Sequence, residues 1–334
     1  MTAIKAPIGA GLTIGLAALA ALISAGPLQA QPQYPEKPLT LVVPYAAGGP
    51  MDKLARELAE PMRQQLRQPV IVQNTAGAGG NIGAMQVKNA LPDGYTLLLN
   101  HIGMATAPAL YRSLQYRPET DFAPLGIVAE SPLVLVSRSG VPSASVKELE
   151  RWMDSRAQTT MANAGVGSAS HLCGLLLQSS LKKSLITVPY RGTGPAIVDL
   201  LGGQVDLLCD LTANALGHVA AGKLRPIAVT SARPLTGTAL GAVPTMREIG
   251  LPDVELSVWY GLYAPRGTPA PVQKTLNEAL QAAARTAPFQ QAQGAAGIQT
   301  VTDQRATPAG HREYLQRELG RWSAVIKAAG IYAD

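Results

Sequence analysis

Apolar residues in this chain come in short runs that stop at small-residue loops and then give way to helical spacing. Leu39, Leu41, Val42 and Val43 read as a buried strand of the parallel type. Tyr45, Ala46, Ala47, Gly48 and Gly49 follow as a loop, with the glycines allowing the backbone to turn and approach a neighbour closely. Pro50 stands where a helix accepts its first residue, and Asp52 falls in the first turn. Met51, Leu54, Ala55, Leu58, Met62 and Leu66 then recur at three- and four-residue spacing, which predicts one apolar helix face. A strand that ends in glycines below a helix start offers unpaired N–H groups and a positive dipole end, a combination suited to an anion.

The same pattern returns along the chain. Val70, Ile71 and Val72 predict a second strand, and Asn74 to Asn81, with Gly77, Ala78 and Gly79 at its centre, leads into a helix from Ile82 to Lys88. Two successive units imply a parallel α/β sheet with both loops on its carboxyl edge, where such folds bind ligands. Tyr95 to Leu99 predicts a third strand, ending at Asn100-His-Ile-Gly103. Leu125 to Val136 is apolar but broken by Glu130-Ser-Pro132, and reads as a strand passing from one domain to another. Ser145-Val-Lys-Glu148 is a capping box. Met161 to Gly167 runs from strand into loop, and Ser168 to Leu181 reads as a helix. Ile186 to Pro189 is another strand, and a helix opened by Pro195 follows the Tyr190-to-Gly194 loop. Strands are expected at Gln204–Asp210, Arg225–Thr230 and Val254–Ala264, with closing helices at Pro269–Ala287 and Pro308–Ala329. An exit near 131 and a return near 255 describe one domain inserted into another, joined by two crossings that make a hinge.

The first thirty residues stand apart. Lys5 precedes an apolar stretch from Ile8 to Ile23, and Leu28-Gln29-Ala30 is a small-residue exit. That is a secretory leader, removed near Ala30, and it leaves a mature chain of roughly 300 residues, enough for two domains. Nothing downstream reaches the ~20 apolar residues of a membrane helix. The net charge of +6 is scattered, charged residues make up 15% of the chain, and there are 2 Phe, so no basic-aromatic nucleic-acid surface is expected. A mild positive balance suits small anions. The 2 cysteines, Cys173 and Cys209, are in a chain bound for an oxidising compartment, and either a disulfide or two buried thiols fits the sequence.

Catalytic patterns are weak. Gly77-Ala-Gly79-Gly-Asn-Ile82-Gly83 nearly fits a dinucleotide fingerprint, but its third glycine position is Ile82 and no acidic residue ends the following strand. Ser168, Ser170 and His171 lie close together, with Asp199, Asp206 and Asp210 downstream, yet there is no nucleophile elbow. Ser168 reads more simply as a helix cap whose hydroxyl faces a ligand. His101, His171, His218 and His311 have no metal-ligand spacing and read as surface or packing residues. Trp259 and Tyr260 either line a pocket or pack within a strand. Asp210, at a strand end, either accepts from a ligand hydroxyl or protonated group or caps the next segment.

In order along the chain, Val43-Pro-Tyr-Ala-Ala-Gly-Gly-Pro-Met-Asp52, Asn74 to Gly83, Pro92-Asp-Gly-Tyr-Thr-Leu97 and Gly165-Val-Gly-Ser-Ala-Ser-His-Leu172 resemble the Bug family, the substrate-binding proteins of tripartite tricarboxylate transporters. Val188-Pro-Tyr-Arg-Gly192, Gly203-Gln-Val-Asp206, Pro244 to Gly250 and Trp259-Tyr-Gly-Leu-Tyr-Ala-Pro265 extend the resemblance. It implies a two-lobed periplasmic-binding-protein (Venus flytrap) fold, α/β, with two parallel-type sheets joined by two crossing strands. Residues 31–131 with 255–334 would form lobe 1 and 132–254 lobe 2. It implies a monomeric periplasmic receptor with no catalytic step, cofactor or metal, delivering a small organic carboxylate to membrane subunits of a tripartite transporter. An exported hydrolase on the same scaffold, or a receptor feeding a sensor, are the alternatives. By position, Ala46 to Pro50 and Gly77 to Gly79 would form the primary carboxylate pincer. Gly165, Ser168, Tyr190, Arg191 and Gly192 would complete it from the second lobe, with Asp210 beside them. Arg191 either meets a second carboxylate or lies at a lobe edge. Three departures stand out: Ala47 replaces a usual proline, Met51 stands where a small or hydroxylated residue is usual, and the Arg151-to-Met161 segment is short.

Overall fold

The computed structural model describes residues 1–4, 34–142, 145–190 and 192–333. The proposed leader falls almost wholly outside the described residues, as does Arg191. No described helix is long and apolar enough to cross a membrane.

The first strand–loop–helix units form as their patterns predict. Strand β1 (Leu39–Val43) pairs in parallel with β2 (Val70–Asn74) on one side and with β3 (Thr96–His101) on the other. Helix α1 (Pro50–Leu66) is capped by extended Gly49, takes Pro50 at its start, and buries Met51, Leu54, Ala55, Leu58, Met62 and Leu66. Helix α2 (Asn81–Lys88) follows a single 3₁₀ turn, Ala78–Gly80, and α3 (Gly103–Leu110) starts directly from β3. One further turn, α4 (Pro118–Asp121), leads into β4.

β4 (Phe122–Ser137) is one strand of 16 residues, buried along nearly its whole length. Pro132 does not interrupt it, because proline needs only a position whose missing N–H the ladder can spare. Its first part pairs antiparallel with β9 (Ser257–Pro265), up to Pro132 opposite Ser257. From Leu133 onward it pairs with β7 (Leu207–Leu211), and from Val134 also with β8 (Arg225–Val229). β4 therefore passes from one group of strands to the other without a loop. At the changeover the buried Thr230 hydroxyl accepts the Leu133 N–H at 2.8 Å, and the Thr230 carbonyl takes the Leu256 N–H at 3.0 Å. Both chain crossings are thus held to one residue.

Beyond β4, α5 (Val146–Asp154) is capped by Ser145, whose hydroxyl accepts the Glu148 N–H. β5 (Thr160–Asn163) lies between β6 (Ile186–Pro189) and β7, parallel to both. Helices α6 (Ala169–Leu181), α7 (Thr193–Leu201) and α8 (Thr212–Ala220) follow β5, β6 and β7. α7 begins two residues before Pro195, with Gly192 as its cap. The strand expected from Val254 begins instead at Ser257, after a 3₁₀ turn at Pro252–Val254. The expected first closing helix is α9 (Ala270–Ala284), and a further helix, α10 (Ala287–Ala295), follows it. Short β10 (Gln299–Thr300) and α11 (Pro308–Ala329) complete the chain. Among the described residues the strand order is β2-β1-β3-β9-β4-β7-β5-β6, with β8 and β10 also on β4.

The two cysteines are joined. Cys173 in α6 and Cys209 in β7 form a disulfide with a Cα–Cα distance of 6.2 Å. Both are fully buried, and the bond ties a helix to the strand beneath it.

Candidate functional site

A cavity of about 610 Å3 lies at the carboxyl ends of the parallel strands, within the ~300–1,000 Å3 usual for small-ligand sites. Leu133 of β4 and Val258 and Tyr260 of β9 line it, so it sits over the crossing. Much of the remaining wall comes from helix starts: Gly49, Pro50 and Met51 at α1, Ile102 and Gly103 at α3, Ser168 to Ser170 at α6, Gly192 and Thr193 at α7, and Leu211 before α8, with Thr106, Ala107 and Leu110 later in α3 also facing in. The opening amides of a helix have no intrahelical acceptor, and each helix start carries roughly half a positive charge.

On the first-sheet side, the loop after β1 is fixed by Asp52. Its Oδ2 accepts the Gly48 N–H at 2.9 Å and the Arg56 Nε–H at 3.0 Å. The Arg56 hydrogen bond, outweighing burial, holds its carboxyl below the usual range. Gly48, read from sequence as offering a free N–H, has spent it on this internal turn. Gly48, Ala46 and Ala47 do not line the cavity, whereas Tyr45, Gly49 and Pro50 do.

In the second loop Gly79 lines the cavity, and Gly77 and Ala78 do not. Gly79 has φ +64°, and a Cβ there would strike the Tyr111 hydroxyl. Its carbonyl accepts the Tyr45 hydroxyl at 2.9 Å. A Cβ on Gly80 would press on the same tyrosine. The glycine excess in this loop thus serves the close approach of two phenols.

His101 also lines the cavity, stacked on Tyr45 with ring centroids 4.7 Å apart. Its Nδ1 accepts the Gly103 N–H at 2.9 Å, which places the ring proton on Nε2. Burial pulls its pKa down to about 4, so it is a neutral donor at physiological pH. Sequence reading treated His101 as a surface or packing residue. The missed signal was that Asn100-His-Ile-Gly103 is a third strand end running into a helix, like the two loops before it.

On the second-sheet side, Ser168 caps α6. Its hydroxyl accepts the His171 N–H at 3.2 Å and donates to the Gly165 carbonyl at 2.7 Å. The His171 ring turns elsewhere, its Nδ1 accepting from the Gly167 N–H. Ser170, next to it, accepts the Ala164 N–H at 2.8 Å. Gly165 shapes this turn without lining the cavity. Tyr190 points away from it, donating to Asp199 Oδ2 at 2.7 Å, and burial with that carboxylate pushes the phenol up to about 12.

Asp210 lines the cavity and is 1% exposed. Its Oδ1 accepts the Leu211 N–H at 2.7 Å and an Asn214 amide hydrogen at 3.2 Å. The local cap and the cavity-lining role, left open by the sequence, therefore coexist on one side chain. Burial pushes its pKa up to about 6. Among the described lining residues none is Lys or Arg, and Asp210 is the one carboxylate. No described cluster of His, Cys, Asp and Glu is placed to hold a metal.

Comparison with known proteins matches residues 54–331 to a family described as the tripartite tricarboxylate transporter family receptor. A UPF0065 protein from the TAR-I ttuE-ttuC' intergenic region of Agrobacterium vitis is 43% identical over 303 residues, 90% of this chain and 87% of that one. The solved periplasmic binding protein BugD is 43% identical, with a TM-score of 0.76 over 90% of this chain and 99% of its own. MatC from Rhodopseudomonas palustris, solved with bound malate, is 36% identical, with a TM-score of 0.74 over 88% of this chain and 100% of its own.

Proposed function

Because the chain belongs to the tripartite tricarboxylate transporter receptor family and has the two-lobed fold of its periplasmic binding proteins, we propose that it is an exported receptor for a small organic carboxylate. Lobe 1 comprises residues 31–131 and 255–334, lobe 2 comprises 132–254, and the ligand is delivered to the membrane subunits of a tripartite transporter. Helix starts converging from both sheets on a cavity with no described cation carry this reading. A carboxylate held there by amides and hydroxyls is recognised by geometry rather than by a buried lysine, and such charge-assisted hydrogen bonds are short and strong. Tyr45, Gly49, Pro50 and Gly79 contribute from lobe 1, and Ser168, Gly192 and Asp210 from lobe 2. Each lobe supplies part of the contacts, so ligand favours the closed form by its differential affinity. That MatC was solved with malate supports the choice of a carboxylate.

Ser168 does not favour the hydrolase alternative, since its hydroxyl is a cap and the neighbouring imidazole accepts from a backbone amide. The test is thermal unfolding of residues 31–334, refolded to remove any trapped ligand, against mono-, di- and tricarboxylates, aromatic acids and amino acids. A ligand at a hundred times its dissociation constant adds ~2.7 kcal/mol. One chemical subset raising the transition supports the receptor, whereas no shift with any acid rejects it.

A further inference from the structure

The carboxylate reading accounts for the amides and hydroxyls of the cavity but not for Asp210. An ionised carboxylate in a site for anions repels part of what the site attracts, so it needs a reason of its own. Its Oδ1 is fully engaged in the turn from β7 into α8. Asn214, which helps to hold it, is itself anchored to the Thr193 hydroxyl at 3.2 Å, so the carboxylate is fixed in orientation. Its Oδ2 is buried and has no hydrogen-bond partner. Other titratable side chains on the cavity wall are His101, Tyr45, Tyr111 and Tyr260; none of them is a cation at neutral pH. The Thr193 hydroxyl stands beside the carboxylate and lowers its pKa but makes no hydrogen bond to Oδ2, so with Oδ1 committed to the turn that place is open to a ligand donor from the cavity.

We propose that Asp210 is a specificity-determining residue whose Oδ2 accepts a hydrogen from a hydroxyl or ammonium group of the bound acid, so that the receptor selects hydroxy or amino carboxylates over acids without such a donor. The inference rests on the carboxylate reading above. The amides and neutral donors take the carboxylate of the ligand, and Asp210 takes the donor. An acid lacking that donor leaves a buried carboxylate oxygen unpaired in the closed form. A second carboxylate placed there meets a like charge. A hydrogen bond to a charged acceptor corresponds to a discrimination of roughly tenfold to a hundredfold in affinity.

Titration calorimetry at pH 8 on the refolded mature chain tests this with two matched sets: succinate, malate and aspartate, and propionate, lactate and alanine. The expected result is that, in at least one set, a donor-bearing acid binds tenfold or more tighter than the plain acid. Malate and lactate against aspartate and alanine tell whether a hydroxyl or an ammonium is preferred. In Asp210→Asn, which keeps an acceptor for the Leu211 N–H but presents a donor of its own, the advantage should fall below threefold. Equal binding of plain and donor-bearing acids by the wild type overturns the proposal, since Oδ2 is then satisfied by water, and leaves the carboxylate reading standing. An advantage that survives in the variant also overturns it. If no acid in either set binds, this inference falls, and the broader acid panel decides the carboxylate reading separately. Should the variant fail to fold, the wild-type comparison alone decides.

Discussion

Gly79 shows how much of the site depends on single backbone positions. Its left-handed φ and the Tyr111 hydroxyl beside it leave no room for a side chain. Gly79→Ala should lower stability by about 1–3 kcal/mol and weaken ligand binding, read by thermal unfolding and titration of the same preparation. Asp210 carries a pH signature independent of ligand. Its pKa is raised to about 6 in the fold, so the stability it contributes is present below its unfolded value near 4 and is lost as pH rises through 6. Asp210→Asn should therefore raise the unfolding temperature of the ligand-free protein at pH 7.5, by up to about 2–3 kcal/mol in stability, and should lose that advantage at pH 4. Equal stability gains at both pH values would mean that the carboxylate is not held in a costly environment. Sequence reading found the glycine loops because an excess of glycine signals close approach. It could not tell which amide stays free, since Gly48 spends its N–H on a carboxylate four residues away. Tyr190 was equally unreadable, because its partner Asp199 is reached only through the fold.

Strand–loop–helix elements were legible where a glycine-rich loop separated the apolar run from the helix, as with β1 and α1, but not where α3 starts directly from β3. β4 was legible only in part. Glu130-Ser-Pro132 looks like a break, and only pairing with β9 up to Pro132, then with β7, makes it one strand. The sequence left the disulfide open against two buried thiols, because proximity of residues 36 apart depends on how α6 packs on β7. It has a direct bearing on the site: α6 begins after Ser168, and the residue after Cys209 is Asp210. Closing a loop of that length contributes about 3–4 kcal/mol in the chain-entropy account. Reduction, or Cys173→Ser with Cys209→Ser, should lower stability by that amount and also weaken binding of any acid that reaches lobe 2. A lowered transition with unchanged affinity would show that the bond does not position the site.

At the scale of the molecule, the net charge of +6 is scattered along the sequence while the described cavity wall holds no Lys or Arg. Long-range attraction is screened beyond ~8 Å at physiological salt, whereas contacts within a closed site are screened far less. The dissociation constant should therefore change by less than about threefold between 20 and 500 mM salt. A steep dependence would bring Arg191 into the site as a charge partner. The strand order has a consequence in time. β9 lies between β3 and β4, yet it is made long after both. At ~5–20 residues per second the ribosome needs on the order of ten seconds to travel from the end of β4 to the end of β9. During that interval the first sheet has a gap where its middle belongs, and the chain cannot settle into a finished lobe. For the exported receptor proposed above, that order keeps the chain open until most of it has been made, which suits passage through a membrane before folding.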